Sequence, residues 1–147
     1  MSGDRVFVDT NVLVYAYDSS AGIKNREARK ILADLWASGL GVLSTQVLQE
    51  FFVTVTRKLP KFMDPGIARN VVRDLLNWEV VTVDGDTILD AIDLYRSQGW
   101  SFWDSLIIAA AGKGGCTLLL SEDLLSGQRV GKVTIRNPFE LQPTDPY

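Results

Sequence analysis

Apolar residues recur along this chain in two rhythms. Short runs such as Val6-Phe7-Val8 and Leu118-Leu119-Leu120 are continuously apolar and bounded by polar residues. Runs of that kind read as strands buried on both faces. Longer stretches place apolar residues three and four apart, which is the spacing of one helix face.

Taken in order, the pattern predicts a strand over residues 5–9 and a helix over residues 11–17, with Asp9 or Thr10 as its cap. A loop over residues 18–25 follows. The next helix spans residues 26–37, with Ala28, Ile31, Leu32, Leu35 and Trp36 on its apolar stripe and Gly39 at its end. Residues 41–44 make a strand. Thr45 then caps a helix that runs to about residue 59, where Pro60 stops it. Its stripe is Leu48, Phe51, Phe52, Val55 and Leu59, with Glu50 pointing away. Asp64-Pro65 opens a helix over residues 66–77, and residues 80–83 form a β-branched strand. A helix over residues 84–97 carries Ile88, Leu89, Ile92 and Tyr95 and ends at Gly99. The helix over residues 101–111 is the most apolar. Strands over residues 117–120 and 133–135 complete the set, and Asn137-Pro138 ends the last one.

Strands alternate with helices, without internal repeat or linker. The expected fold is α/β, a three-layer sandwich with a central parallel sheet of four to five strands flanked by helices. Residues 1–141 read as one domain, and the two prolines of residues 142–147 mark a loose tail.

Composition narrows the chemistry. The chain has 147 residues, 46% of them hydrophobic, enough to bury a substantial core. It has no histidine, which excludes histidine bases, nucleophiles and metal ligands. The single cysteine, Cys116, has no partner within the chain and no histidine to activate it, so it reads as a buried structural thiol. Asp9 and Asn11 interrupt any signal-peptide core, and no apolar run is long enough to span a bilayer. A cytoplasmic protein without membrane contact is the expectation. The net charge of −3, from 15 basic and 18 acidic residues, argues mildly against a nucleic-acid partner.

Asp9, Glu50, Asp104 and Asp123 alter that picture. Each lies beside an apolar segment, where an acid is costly unless compensated. A shared divalent cation would compensate all four. Setting these four acids aside, the remaining acids and bases nearly balance, so local basic patches could still grip phosphates. In an open parallel sheet, sites form outside the carboxyl ends of the strands. Asp9 and Asp123 follow strand ends, Glu50 lies in the helix leaving the second strand, and Asp104 lies in the first turn of another helix. Each also has an ordinary reading. Asp9 and Asp104 could be helix-cap acids, Glu50 a solvated helix acid and Asp123 a turn cap. Glu122 competes with Asp123, which is preferred because it shares a side of the extended chain with Ser121. Asp18, Asp84, Asp86, Asp90 and Asp93 read as loop or helix-surface acids.

Taken together, these segments resemble the PIN-domain ribonucleases, and most closely the VapC-type toxins of prokaryotic toxin–antitoxin pairs. Phe7-Val8-Asp9-Thr10-Asn11-Val12-Leu13, Val47-Leu48-Gln49-Glu50-Phe51, Phe102-Trp103-Asp104-Ser105-Leu106-Ile107 and Leu119-Leu120-Ser121-Glu122-Asp123 look like the four motifs of that family, in order. Asn137-Pro138-Phe139 resembles a common ending of such chains. The resemblance implies a Mg²⁺ or Mn²⁺ site in which Asp9, Glu50, Asp104 and Asp123 are catalytic. Asp9, Asp104 and Asp123 would be the metal ligands, with Asn11 and Ser121 in support. It implies hydrolysis of RNA, such as a tRNA, by a type II toxin that is often homodimeric and is silenced by an antitoxin. Arg57, Lys58, Lys61, Lys113 and Arg129 are candidate RNA contacts. Phe102 and Trp103 could stack on bases but read better as core. Leu35 and Trp36 could belong to the core or to an antitoxin or dimer groove. Two other readings stand beside this one, a PIN nuclease of RNA processing without an antitoxin and a non-catalytic binding module.

Overall fold

Val6, Phe7 and Val8 are all buried in β1 (Arg5–Val8), which lies in the core with a parallel strand paired to each of its edges. β2 (Gly41–Ser44) pairs with one edge of β1 and β4 (Cys116–Leu120) with the other. β3 (Glu79–Val81) extends the sheet beyond β2, and β6 (Val133–Arg136) extends it beyond β4. The computed structural model describes residues 3–140, so the tail expected over residues 142–147 lies outside them.

Among the described residues the sheet has six strands in the order β3-β2-β1-β4-β6-β5. This exceeds the four to five expected, because the two-residue β5 (Arg129–Val130) folds back antiparallel on β6. A strand so short leaves no alternation to detect. All other pairings are parallel, which agrees with the continuously apolar runs. Cys116 is buried, as expected, and burial pushes its thiol pKa up to about 12.

The helices are α1 (Thr10–Tyr15), α2 (Ile23–Ser38), α3 (Thr45–Arg57), α4 (Pro65–Leu75), α5 (Gly85–Gln98) and α6 (Phe102–Lys113). In α6 every residue from Ser105 to Ala111 is buried, so the most apolar helix is the central one. Ser44, not Thr45, caps α3, with its hydroxyl accepting from the Val47 amide at 3.3 Å. α2 starts at Ile23, three residues before the expected start at residue 26, after Gly22 turns the chain at φ 61°. The apolar stripe read on α5 faces outward, and Thr87 and Ala91 are the residues it buries. Leu89 is 60% exposed and Tyr95 51%.

The chain moves from β1 through β2 to β3 on one side, then crosses to β4 on the other. The carboxyl ends of β1 and β4 therefore flank the point where the winding reverses, which is where open α/β sheets form crevices.

Candidate active site

β1 ends at Val8, and Asp9 caps α1, accepting from the Thr10 amide at 2.7 Å. Its other oxygen accepts from the hydroxyl of Ser121, at 2.8 Å, just past the end of β4. Backbone pairing fixes these two turns side by side, because the Asp9 amide donates to Leu120 O at 2.9 Å. Ser121 is fully buried, and its oxygen also accepts from the amides of Asp123 and Leu124 at 3.3 Å.

Asn11 ties the two turns together. Its amide nitrogen donates to Asp123 at 3.1 Å and to Ser121 at 3.3 Å, while its oxygen accepts from the Glu122 amide at 3.0 Å. Both residues expected to support the acids, Asn11 and Ser121, thus touch them directly.

Glu50 approaches from α3 and is held at both oxygens. Thr10 Oγ1 donates to one at 2.6 Å, and Gln46 Nε2 donates to the other at 3.2 Å. Asp104 lies in the first turn of α6, where its amide donates to the capping hydroxyl of Ser101 at 3.1 Å. Because α6 runs back toward the start of β4, its first turn sits at the same rim of the sheet. Asp9, Glu50, Asp104 and Asp123 all line one open cleft of about 680 Å³.

The structure separates Glu122 from Asp123. Glu122 turns away from the cleft to accept from the Tyr15 hydroxyl at 2.6 Å and to pair with the Lys24 ammonium. Burial works against its charge, but the bonds from Lys24 and Tyr15 outweigh this and hold its carboxyl below the ordinary value. Asp123 is left facing the cleft.

Asp9 is the most perturbed acid. Desolvation raises its pKa from 3.8 to about 6; the bonds from Ser121 and Thr10 oppose the rise, and the charges of Glu50 and Asp123 add to it. Among the described residues the three ion pairs join Arg5 to Glu79, Lys24 to Glu122 and Lys113 to Asp84, so none neutralises the four cleft acids.

The basic candidates divide. Lys58 lines the cleft. Lys113 ends α6, on the far side of that helix from Asp104, and donates to Asp84 at 2.5 Å and Thr87 at 3.2 Å. That contact also gives Asp84 a role, with its pKa held well below the usual range by the Lys113 bond. Arg129 lies on the edge strand β5, donating to Gly131 O, and Arg57 and Lys61 are exposed outside the cleft lining.

Trp103, read from the sequence as core, is 63% exposed at the cleft, its ring set edge-on to Phe102. Leu35 is core, and Trp36 is partly exposed against Trp78. Asp18, read as an ordinary loop acid, also lines the cleft. Thr10 and Gln46 had no assigned part in the site. The four-residue spacing of Gln46 and Glu50 on one helix was the signal available for Gln46.

The model of the PIN domain family matches residues 6–124. The chain belongs to the PIN-domain family. Solved structures share its fold. Mycobacterium tuberculosis VapC20, a sarcin–ricin loop cleaving toxin, is 24% identical over 78% of this chain and 86% of its own, with a TM-score of 0.60. A toxin–antitoxin complex from Klebsiella pneumoniae is 17% identical over 92% of this chain and 99% of its own, at 0.68. DNA-bound VapBC from Salmonella typhimurium is 17% identical over 92% and 98%, at 0.63. No curated protein matches the chain by sequence. In this PIN domain the matched span carries all four acids, from Asp9 to Asp123.

Proposed function

We propose that this PIN domain is a Mg²⁺- or Mn²⁺-dependent endoribonuclease, the toxin of a type II toxin–antitoxin pair. The observation that carries the reading is the convergence of Asp9, Glu50, Asp104 and Asp123 on one cleft, with no ion pair to any of them among the described residues. Such a cluster suits a divalent cation, and the donors are all oxygen, as hard cations require.

The fit can be tested on the acids themselves. Among the described residues no three acidic side chains are already drawn up around one ion position. The chemistry nevertheless favours an ion. Asp9 is buried with no cationic partner among the described residues, and Asp104 and Asp123 reach the same cleft from a helix turn and a loop. Asp9, Asp104 and Asp123 would hold the ion, with Glu50 beside them. A bound ion would lower the pKa of a water and stabilise the charge that develops on the scissile phosphate.

The protein's own groups do the remainder. Ser121 and Asn11 orient Asp9 and Asp123, and Thr10 and Gln46 orient Glu50. Lys58 supplies a positive charge at the wall for a neighbouring phosphate, and Trp103 offers an exposed ring on which a base can stack. The toxin assignment draws support from the folds it shares with toxin–antitoxin complexes. A structured RNA, such as a tRNA, is the proposed substrate. An antitoxin and a second copy of the chain are the proposed partners. None of the helices among the described residues is long and apolar enough to cross a membrane.

Asp9→Asn and Asp104→Asn should each abolish Mg²⁺-dependent RNA cleavage while circular dichroism stays unchanged. Cleavage at the wild-type rate by both variants would remove the metal-site assignment.

A further inference from the structure

Gln46 is buried, 6% exposed, in the wall of the acidic cleft. Its amide nitrogen donates to Glu50 Oε2 at 3.2 Å and to the backbone carbonyl of Trp103 at 3.4 Å. Both neighbours can only accept, so the nitrogen must face them and the amide orientation is determined. The oxygen is then left buried without a donor among the described residues. An unpartnered buried amide oxygen costs about 1–3 kcal/mol. A methionine of similar length would fill the space without that cost, so packing alone does not account for the amide.

We propose that Gln46 is a positioning residue, which pins the Glu50 carboxylate to the first turn of α6, beside Asp104. A glutamate has several rotatable bonds and, unrestrained, would sample much of an open cleft. Here Thr10 holds one oxygen and Gln46 the other. Because Gln46 also grips the residue preceding Asp104, the bond fixes the separation between an acid on α3 and an acid on α6. Each Glu50 oxygen keeps a lone pair for a cation or its water. The inference rests on the metal-nuclease reading.

The test is Gln46→Met, with Gln46→Glu as the variant that keeps the shape of the side chain but sets an acceptor against two acceptors. Mn²⁺ binding is measured by calorimetry on the full chain, alongside melting without metal and RNA cleavage kinetics. Gln46 supports the proposed ligand Asp104 through the carbonyl of Trp103, and removal of an outer-shell partner typically weakens metal binding about 10- to 100-fold. Gln46→Met should therefore bind Mn²⁺ at least about 10-fold more weakly, with kcat lowered and KM for RNA little changed, while its metal-free melting temperature equals or exceeds that of the wild type. Gln46→Glu should show the same loss of Mn²⁺ affinity. Wild-type Mn²⁺ affinity in either folded variant would overturn the positioning role and leave the nuclease reading intact. Absence of Mn²⁺ binding by the wild-type chain would overturn the metal reading and this inference with it.

Discussion

At the scale of the residue, Asp9 sets stability against function. Its carboxyl has an ordinary pKa of 3.8 and reaches about 6 in the folded chain, with burial as the main cause. A raised acid holds its proton more tightly when folded than when unfolded. Between about pH 4 and pH 6 the folded state therefore binds more protons, and stability falls as pH rises. At about 1.4 kcal/mol per unit the metal-free protein loses roughly 2–3 kcal/mol across that window. Asp9→Asn should remove this slope and leave the metal-free chain more stable at pH 7 than the wild type. Urea denaturation at about pH 4.5 and pH 7 in a chelator measures both. A wild-type slope that persists in Asp9→Asn would place the titration on another group. The residues legible in the sequence were those with an anomaly of placement. Asp9, Glu50, Asp104 and Asp123 stood out because a charge beside an apolar run needs an explanation. Thr10 and Gln46 are neutral and create no such anomaly; Gln46 offered only its four-residue spacing from Glu50 within α3, and the hold of Thr10 is visible only once α1 and α3 are in contact.

At the scale of the element, packing decides what propensity leaves open. Gly41 opens β2 directly under the ring of Trp78. A Cβ there would lie 2.4 Å from Trp78 Cζ3, closer than any real contact, and the indole is itself pressed edge-on against Trp36 at 5.5 Å. Gly41→Ala should destabilise the fold by about 1–3 kcal/mol, the usual range for overpacking. The midpoint of chemical denaturation should fall accordingly, and a midpoint at the wild-type value would mean that the Trp78 ring moves freely. Strands and helices were largely legible because their two periods differ. The errors follow from what a period cannot carry. The stripe of Ile88, Leu89, Ile92 and Tyr95 is a sound helical pattern, yet α5 turns it outward and packs Thr87 and Ala91 inward. Periodicity shows that a helix has an apolar face, not which neighbour that face meets. Likewise the cap of α3 fell to Ser44 because β2 runs into the helix without an intervening loop.

At the scale of the whole molecule, the sheet order places chemistry that no single element holds. Asp9 and Asp123 are adjacent because β1 and β4 pair in parallel, with Val8 opposite Leu120, although the two acids lie far apart in the chain. The pairing brings like charges together; burial is the main cause of the raised Asp9 carboxyl, and the charges of Glu50 and Asp123 add a smaller part of the rise. A cation that binds the folded chain and not the unfolded one reverses the balance. Its stabilisation grows as RT ln(1 + [L]/Kd), or about 2.7 kcal/mol at a hundred times Kd. Mn²⁺ or Mg²⁺ at saturating concentration should therefore raise the melting temperature of the wild type, and a chelator should return it to the metal-free value. Asp104→Asn, which leaves the buried acid in place but removes a proposed ligand, should melt close to the metal-free wild type and respond much less to the ion. Asp9→Asn should start higher and also respond weakly, so that metal narrows or inverts the difference between it and the wild type. Equal rises for all three proteins would put the ion elsewhere on the surface. No rise in the wild type would mean that the cleft acids are not a cation site, and the repulsion between them would then require another explanation.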